Sequence, residues 1–237
     1  MRFYTLYIVA LMWVLVSACG PGDGGRESKS DPGSLAADSS QAPPASTTDR
    51  PVVLFLGNSL SAGYGVEPDS AFPNLIKARI DSLGWNVEIV NAGLSGETTS
   101  GGLRRIDWLL RRPVEVLVLE LGGNDGLRGI PTEVTRSNLQ AIIDKTRTRY
   151  PDAEIILAGM QIPPNLGHEY TRDFREIYPS LAEENDAHLI PFLLEGVGGV
   201  ERLMQGDGIH PTEEGHRLVA ENVWDILRSV LEDRQES

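Results

Sequence analysis

The chain of 237 residues contains a single cysteine, Cys19, so it cannot form an intrachain disulfide. Basic residues are also scarce, since 21 Lys and Arg stand against 34 Asp and Glu and the formal net charge is −13. A surface this acidic repels phosphate backbones, which argues against nucleic acid as a partner. It also argues against docking on anionic lipid through a basic patch. No internal repeat is present, which argues against a solenoid or a propeller.

The N-terminal apolar run, from Phe3 to Val16, is too short for a transmembrane helix, which needs about 20 residues. A short run behind a positive start is typical of a signal peptide. The segment that follows, Val16 to Gly20, resembles a bacterial lipobox. We therefore predict a lipoprotein signal peptide over residues 1–18, lipidation of Cys19, and a place in the cell envelope on the periplasmic face of the outer membrane. The alternative is a secretory signal in which Cys19 is incidental.

Large apolar residues are almost missing between Gly20 and Arg50, where Gly, Ser, Pro, Ala and Asp dominate. Such a stretch cannot bury enough surface to offset its ordering entropy. We therefore predict that residues 19–50 form a disordered tether that starts at the lipidated cysteine. Residues 51–237 are predicted to form one domain.

Strand and helix patterns alternate along this domain. Short apolar runs bounded by Gly, Asn or Pro predict five buried strands: Val52–Leu56, Val87–Val90, Val114–Leu121, Glu154–Ala158 and His188–Pro191. Helical spacing of apolar residues predicts the helices between and after them: Phe72–Leu83, Leu103–Leu110, Pro131–Tyr150, Tyr170–Glu184 and Thr212–Leu231. The alternation predicts an α/β fold with a parallel sheet covered on both faces. Ligands of such sheets bind beyond the carboxyl ends of the strands.

Polar motifs follow the strands at this edge. Ser59 lies just beyond the first strand, Gly96 follows the second and Asn124 follows the third. Asp207 and His210 precede the last helix in a glycine-rich turn. A serine nucleophile needs a base, and the base needs a partner that holds its tautomer. Each motif alone could be an ordinary turn, but together they predict one site with serine as nucleophile.

Four histidines could supply the base. His168 is predicted to open a helix, and His188 starts a strand at the wrong edge of the sheet. His216 is predicted to lie a turn or more inside the final helix, on the surface or in packing. His210 is left, in the loop after the fifth strand.

These segments resemble the four sequence blocks of the SGNH (GDSL-type) hydrolases. The four residues that name that family are matched here by Ser59, Gly96, Asn124 and His210. The segments Glu120–Gly129 and Asp207–Pro211 are most similar to the periplasmic thioesterase/lysophospholipase and arylesterase members of the family. The resemblance covers nearly all of the predicted domain.

The resemblance implies a three-layer α/β/α sandwich of flavodoxin-like type, with a five-stranded parallel sheet in the order 2-1-3-4-5. It implies that Ser59 attacks, that His210 accepts its proton and that Asp207 orients the imidazole. The oxyanion hole would consist of the Ser59 and Gly96 N–H groups and the Asn124 amide. No metal and no cofactor is implied. One departure is Asn58, because the family usually has Asp before the nucleophile, and we expect it to alter the pH dependence rather than the reaction.

The predicted function is hydrolysis of carboxylic esters or thioesters, including lysophospholipids, through an acyl-enzyme. Four residues in the loops after strands three and four are predicted to line the acyl site: Leu127, Ile130, Ile162 and Pro164. The arginine pairs Arg104–Arg105 and Arg111–Arg112 are predicted to form a solvated helix face, and the protein is predicted to be a monomer. Two alternatives stay open, a carbohydrate-ester deacetylase acting on cell-wall polymers and a catalytically idle binding lipoprotein.

Overall fold

The computed structural model describes residues 50–235, apart from the side chains of Pro164 and Gln235. The predicted signal peptide, Cys19 and all but the last residue of the predicted tether lie outside these residues. Within the described part of the chain, no helix is long and apolar enough to cross a membrane.

The sheet consists of five parallel strands in the order β2-β1-β3-β4-β5, as the resemblance implied. The strands are β1 Val52–Gly57, β2 Glu88–Asn91, β3 Val116–Glu120, β4 Glu154–Ala158 and β5 His188–Ile190. Four predicted strands differ from these bounds by one or two residues at an end, and the prediction for β4 is confirmed. Every residue of β1 and β3 is buried, which explains why their sequences are continuous apolar runs.

Seven α-helices connect and flank the strands of the described chain. They are α1 Ser59–Ala62, α2 Phe72–Leu83, α3 Thr99–Leu109, α4 Gly123–Leu127, α5 Thr132–Arg149, α6 His168–Glu184 and α7 Glu213–Gln235. The prediction for α2 is confirmed, and those for α5, α6 and α7 differ by one to four residues at an end. The short helices α1 and α4 were not predicted, because four or five residues show no helical period.

Helix α3 begins four residues before the predicted start at Leu103. Thr98 caps it by accepting a hydrogen bond from the Gly101 N–H. The glycines in its first turn obscure the helical pattern in the sequence. The presence of one of them, Gly102, is explained by packing. A β-carbon there would lie 2.3 Å from Leu121 Cδ1, so a larger residue would require the buried Leu121 side chain to move.

The helices form two layers around the sheet. Helices α2 and α7 pack against each other, and α5 packs against both α3 and α6. The core between the layers contains large side chains that are fully buried, among them Phe55, Phe72 and Phe174. This is the three-layer α/β/α sandwich that the resemblance implied. It leaves the carboxyl ends of β1, β2 and β3 side by side.

Candidate active site

Ser59 lies at the start of α1, two residues beyond the end of β1. The preceding Asn58 caps this helix, since its Oδ1 accepts a hydrogen bond from the Leu60 N–H at 2.9 Å. The same oxygen lies 3.3 Å from the Ser59 Oγ. Both residues are largely buried, with exposed fractions of 3% and 9%. The amide thus supplies the capping oxygen that an aspartate would supply at this position.

His210 lies in a turn whose backbone is folded around Asp207. One carboxylate oxygen, Oδ1, accepts the N–H groups of Ile209 and His210 at 2.9 and 3.0 Å. The other, Oδ2, lies 2.6 Å from His210 Nδ1, and His210 Nε2 lies 2.9 Å from the Ser59 Oγ. The structure therefore brings Ser59, His210 and Asp207 into one continuous hydrogen-bonded chain.

Hydrogen bonds lower the pKa of Asp207 to about 2. The bond to the His210 side chain has the largest effect, followed by the N–H groups of His210 and Ile209. The carboxylate is therefore ionised at neutral pH and accepts the Nδ1–H of His210. That bond leaves the lone pair of Nε2 directed at Ser59. This arrangement can remove a proton from the serine hydroxyl.

The two other predicted oxyanion residues lie in neighbouring segments. The Asn124 Nδ2 donates to the Glu97 carbonyl at 2.9 Å, and an amide nitrogen has a second hydrogen to donate elsewhere. The Arg128 guanidinium donates to the Gly96 carbonyl at 3.1 Å. The φ angle of Gly96 is +79°, a backbone conformation that favours glycine. Asn124 lines the same cavity as Ser59, whereas Gly96 does not.

Glu120, the last residue of β3, is fully buried below the nucleophile and was missed by the sequence analysis. Its Oε2 accepts the Asn58 N–H at 3.0 Å, the Ser61 N–H at 3.2 Å and the Ser61 hydroxyl at 2.8 Å. Burial raises the pKa of Glu120 to about 7, against the effect of these hydrogen bonds. A carboxylate inside an otherwise apolar strand was the signal that could have identified it.

The prediction that Arg104 and Arg105 belong to a solvated helix face is wrong for Arg105. Its guanidinium forms an ion pair with Glu97, whose side chain is 3% exposed, and it also donates to the Ala92 carbonyl at 2.5 Å. The neighbouring Arg104 is exposed as predicted and donates to Ser100. No local spacing links Arg105 to its partners, so the sequence could not distinguish the two arginines.

Gln205 and Tyr64 also support the histidine turn. The Gln205 Nε2 donates to the carbonyls of Tyr64 and Pro211 at 2.7 and 2.9 Å, and its backbone N–H donates to the His210 carbonyl at 2.7 Å. The centre of the Tyr64 ring lies 4.5 Å from that of His210. These contacts join the histidine turn to the segment that follows α1.

The other histidines lie away from this chain of hydrogen bonds. His168 is exposed at the start of α6, and His188 lies 3.3 Å from Glu154 at the opposite end of the sheet. His216 lies in the first turn of α7 rather than deeper inside it, and it is 1% exposed. Its Nδ1 accepts the Phe72 N–H at 3.3 Å. Burial lowers the pKa of His216 to about 4, with a smaller contribution from His210.

A cavity of about 430 Å³ opens beside Ser59 and His210. Leu127 and Ile162, two of the residues predicted to line an acyl site, line this cavity. Ile130, which was also predicted to line an acyl site, is not among the lining residues; its carbonyl accepts the Tyr170 hydroxyl at 2.6 Å. The predicted role of Pro164 concerns a side chain outside the described ones. Further apolar residues that the sequence analysis did not select line the wall: Leu60, Met160, Pro163, Phe192, Leu194, Met204 and Ile209.

Metal-ligating side chains do not cluster at this site. Among residues 50–235 there is no group of three or more His, Cys, Asp or Glu side chains that could hold a metal ion.

Comparison with known proteins gives consistent matches. The chain is 40% identical to the esterase TesA of Pseudomonas aeruginosa over 76% of this chain and 89% of that one. It is 40% identical to thioesterase 1/protease 1/lysophospholipase L1 of Escherichia coli K12, over 71% and 79% of the two chains. The crystal structure of the psychrotrophic esterase EstA from Pseudoalteromonas sp., inhibited by monoethylphosphonate, is 34% identical. It superposes with a TM-score of 0.72, covering 76% of this chain and 98% of that one.

The family comparison agrees with these relatives and with the resemblance noted from the sequence. Residues 55–218, which run from β1 into α7, match the GDSL-like Lipase/Acylhydrolase family. The five-stranded sheet order and the sequence identities lead to the same assignment. The chain therefore belongs to the GDSL-like lipase/acylhydrolase family and is a hydrolase.

Proposed function

We propose that the protein hydrolyses carboxylic esters and thioesters with apolar acyl chains, using Ser59 as nucleophile. The observation that supports this most directly is the hydrogen-bonded chain from the Ser59 Oγ through His210 to Asp207, at the edge of an apolar cavity. Family membership supports the reaction class. The names of the relatives, esterase and thioesterase/lysophospholipase, support the substrate class.

The proposed reaction has two halves. In the first, the Ser59 Oγ attacks the carbonyl carbon while His210 Nε2 takes the hydroxyl proton. Collapse of the tetrahedral intermediate breaks the bond to the leaving alcohol or thiol, which receives that proton from His210. In the second, His210 removes a proton from a water molecule, whose oxygen attacks the carbonyl carbon of the acyl-enzyme. Collapse of this second tetrahedral intermediate breaks the bond to the Ser59 Oγ, which receives the proton from His210 as the acid is released. Asp207 stabilises the imidazolium in both halves.

The negative charge on the former carbonyl oxygen would be stabilised by the N–H groups of Ser59 and Gly96 and by the Asn124 amide. The bond from Asn124 to Glu97 fixes one of its amide hydrogens and leaves the second for the oxyanion. Donors that are already oriented before the reaction cost no reorganisation during it. Losing one such donor typically lowers turnover by about 10²–10³-fold.

The wall of the cavity favours an acyl chain over a sugar. Leu127, Ile162 and Phe192 are among nine apolar lining residues, and His210 is the lining residue with an ionisable side chain. Each methylene buried against such a wall contributes about 0.8 kcal/mol. A carbohydrate-ester deacetylase would require a mostly polar groove for hydroxyl groups, whereas the apolar residues outnumber the polar side chains Asn58, Ser59, Asn124, Gln161 and His210 in this lining.

Hydrolysis of p-nitrophenyl esters from acetyl to palmitoyl, by the wild type and by Ser59→Ala, tests the proposal. We expect clear activity in the wild type, loss of it in Ser59→Ala, and a preference for chains longer than acetyl. A folded wild type that hydrolyses none of these esters would contradict the proposal and favour the idle binding lipoprotein. A strict preference for acetylated sugars would favour the deacetylase.

We also propose that the protein is located in the cell envelope. A lipobox ending at Cys19 would leave the hydrolase domain anchored to the cell envelope through acyl chains, acting there as a monomer. Membrane fractionation of wild type and Cys19→Ala tests this, since only the wild type should sediment with membranes. Equal sedimentation of both would contradict the anchor, and sedimentation velocity of the domain released from the membrane tests the monomer.

A further inference from the structure

Glu97 and Arg105 form a partly buried ion pair next to the site. The side chain of Glu97 is 3% exposed and that of Arg105 is 24% exposed. The Arg105 Nε lies 2.7 and 2.9 Å from the two carboxylate oxygens, and its Nη2 contacts the same carboxylate. Contacts between arginine and carboxylate that use two donors combine strength with a defined orientation.

Arg105 connects this pair to the ends of two strands. Its Nη2 donates to the Ala92 carbonyl at 2.5 Å and lies 3.5 Å from the Gly57 carbonyl, with geometry for a weak hydrogen bond. Gly57 ends β1, two residues before Ser59, and Ala92 directly follows β2. A single guanidinium therefore joins the backbone of the nucleophile's strand to the loop that contains Glu97.

The loop held in this way includes or contacts both remaining donors of the proposed oxyanion hole. Gly96 directly precedes Glu97, and the Glu97 carbonyl accepts one hydrogen of the Asn124 amide at 2.9 Å. A second connection joins the same segments, since the Thr99 N–H and hydroxyl donate to the buried Asp125 at 2.9 and 2.5 Å. Neither Glu97 nor Arg105 lines the cavity, so neither is placed to touch a substrate.

We propose that the Glu97–Arg105 pair positions the oxyanion hole relative to Ser59. The pair sets the place of the Gly96 N–H directly and the rotation of the Asn124 amide through the Glu97 carbonyl. Both residues are positioning residues, and the inference rests on the proposed function. Misplacing a reacting group by about 1 Å can cost about 10²-fold in rate, so loosening this pair should impair turnover without emptying the acyl cavity.

Arg105→Lys is the variant that tests the proposal in the full-length protein. Lysine keeps the positive charge, but its three donors share one nitrogen and cannot reproduce the planar fork by which Arg105 Nε and Nη2 reach Glu97 and the strand end together. We expect kcat for p-nitrophenyl butyrate to fall about 10²-fold, with KM changed by less than about threefold, since ground-state binding is untouched. Arg104→Lys is the matched control on the same helix, because Arg104 is exposed and donates to Ser100, and it should retain both values.

Two further measurements separate positioning from a purely structural role. An alkylboronic acid adds to a serine hydroxyl and forms a tetrahedral anion, so its affinity reports the oxyanion hole. That affinity should fall in parallel with kcat in Arg105→Lys. Combining Arg105→Lys with Asn124→Ala should lower kcat by less than the product of the single losses, because Arg105 acts partly through Asn124. Glu97→Gln serves the same tests if Arg105→Lys does not fold.

The proposal is overturned if Arg105→Lys matches Arg104→Lys in kcat. It is also overturned if the loss of kcat leaves boronic acid affinity unchanged, or if the Arg105 and Asn124 losses multiply fully. Wild type and Ser59→Ala are assayed alongside. Equal activity of those two proteins would show that the proposed function has failed, which is a different result from a failure of the positioning role.

Discussion

Replacing Glu120 by glutamine should change how the stability of the protein depends on pH. The Glu120 carboxyl is fully buried, its Oε2 accepts three hydrogen bonds and its Oε1 has no partner among the described residues. Burial raises its pKa from 4.5 to about 7. Glutamine keeps an oxygen for the three donors and cannot ionise, so the substitution removes the titration and keeps the acceptor.

The direction in which stability changes with pH follows from the number of protons that the folded and unfolded states bind. Between pH 4.5 and about 7 the folded protein holds a proton on Glu120 that the unfolded chain has lost, so this residue makes stability fall as pH rises. A shift of about 2.5 units at about 1.4 kcal/mol per unit amounts to about 3 kcal/mol. The free energy of unfolding of Glu120→Gln, minus that of the wild type, should therefore rise by about 3 kcal/mol from pH 4.5 to 7.5. The free energy that burial of the glutamine amide costs is the same at every pH, so it does not affect the rise between pH 4.5 and 7.5.

His216 acts in the opposite direction over much of the same range. Burial lowers its pKa from 6.5 to about 4, so the unfolded chain binds the extra proton and stability rises with pH between these values. The contributions of Glu120 and His216 largely cancel in the wild type between about pH 4.5 and 6.5. The Glu120→Gln variant should therefore show a positive slope of about 1.4 kcal/mol per pH unit there.

Urea unfolding at several pH values, followed by circular dichroism, measures these free energies. Glu183→Gln is the matched control, because Glu183 is exposed on α6, and its difference from the wild type should stay flat. A difference between Glu120→Gln and the wild type that does not change between pH 4 and 8 would refute the reasoning. It would mean that the pKa of the Glu120 carboxyl is the same in the folded and unfolded states.

Three other predictions concern turnover, measured with p-nitrophenyl esters. Asp207→Asn should lower kcat by about 10³–10⁴-fold while the protein stays folded, because the amide no longer holds the productive His210 tautomer; a loss below tenfold would contradict the role of Asp207. Asn58→Asp should keep kcat within about tenfold, or ~1.4 kcal/mol of activation free energy, since the carboxylate can accept the same Leu60 N–H; a larger loss would contradict the capping role. Ile162→Ala should lower kcat/KM for octanoyl ester about fourfold more than for acetyl ester, which corresponds to the ~0.8 kcal/mol of one buried methylene; equal losses would place the acyl chain elsewhere.

The residues of the hydrogen-bonded chain could be predicted because each belongs to a local pattern. Ser59 follows an apolar strand, and Asp207 precedes His210 by three residues in a glycine-rich turn. Such patterns depend on backbone conformations that a few neighbouring residues set. The sheet order came from the family resemblance, since strand alternation predicts a parallel sheet but not the order of its strands.

The supporting contacts could not be predicted because they join residues far apart in the chain. Glu120 receives its donors from residues about 60 positions earlier, and Gln205 bonds a carbonyl 141 positions away. Arg104 and Arg105 are identical in type and adjacent, yet tertiary packing exposes one and pairs the other. The sequence analysis also named too few of the apolar residues that line the cavity. Phe192, Leu194 and Met204 line it, but no sequence pattern distinguishes such residues from those of the hydrophobic core.

Covalent labelling with an alkyl fluorophosphonate tests the central claim most directly. The reagent places a phosphonyl group on an activated serine oxygen and releases fluoride. Intact-mass and peptide analysis should show one label per protein on the peptide containing Ser59, with loss of esterase activity in proportion. The Ser59→Ala variant should take up none, and His210→Ala should react far more slowly. Labelling at another residue, or ester hydrolysis that persists after Ser59 is fully labelled, would contradict the account.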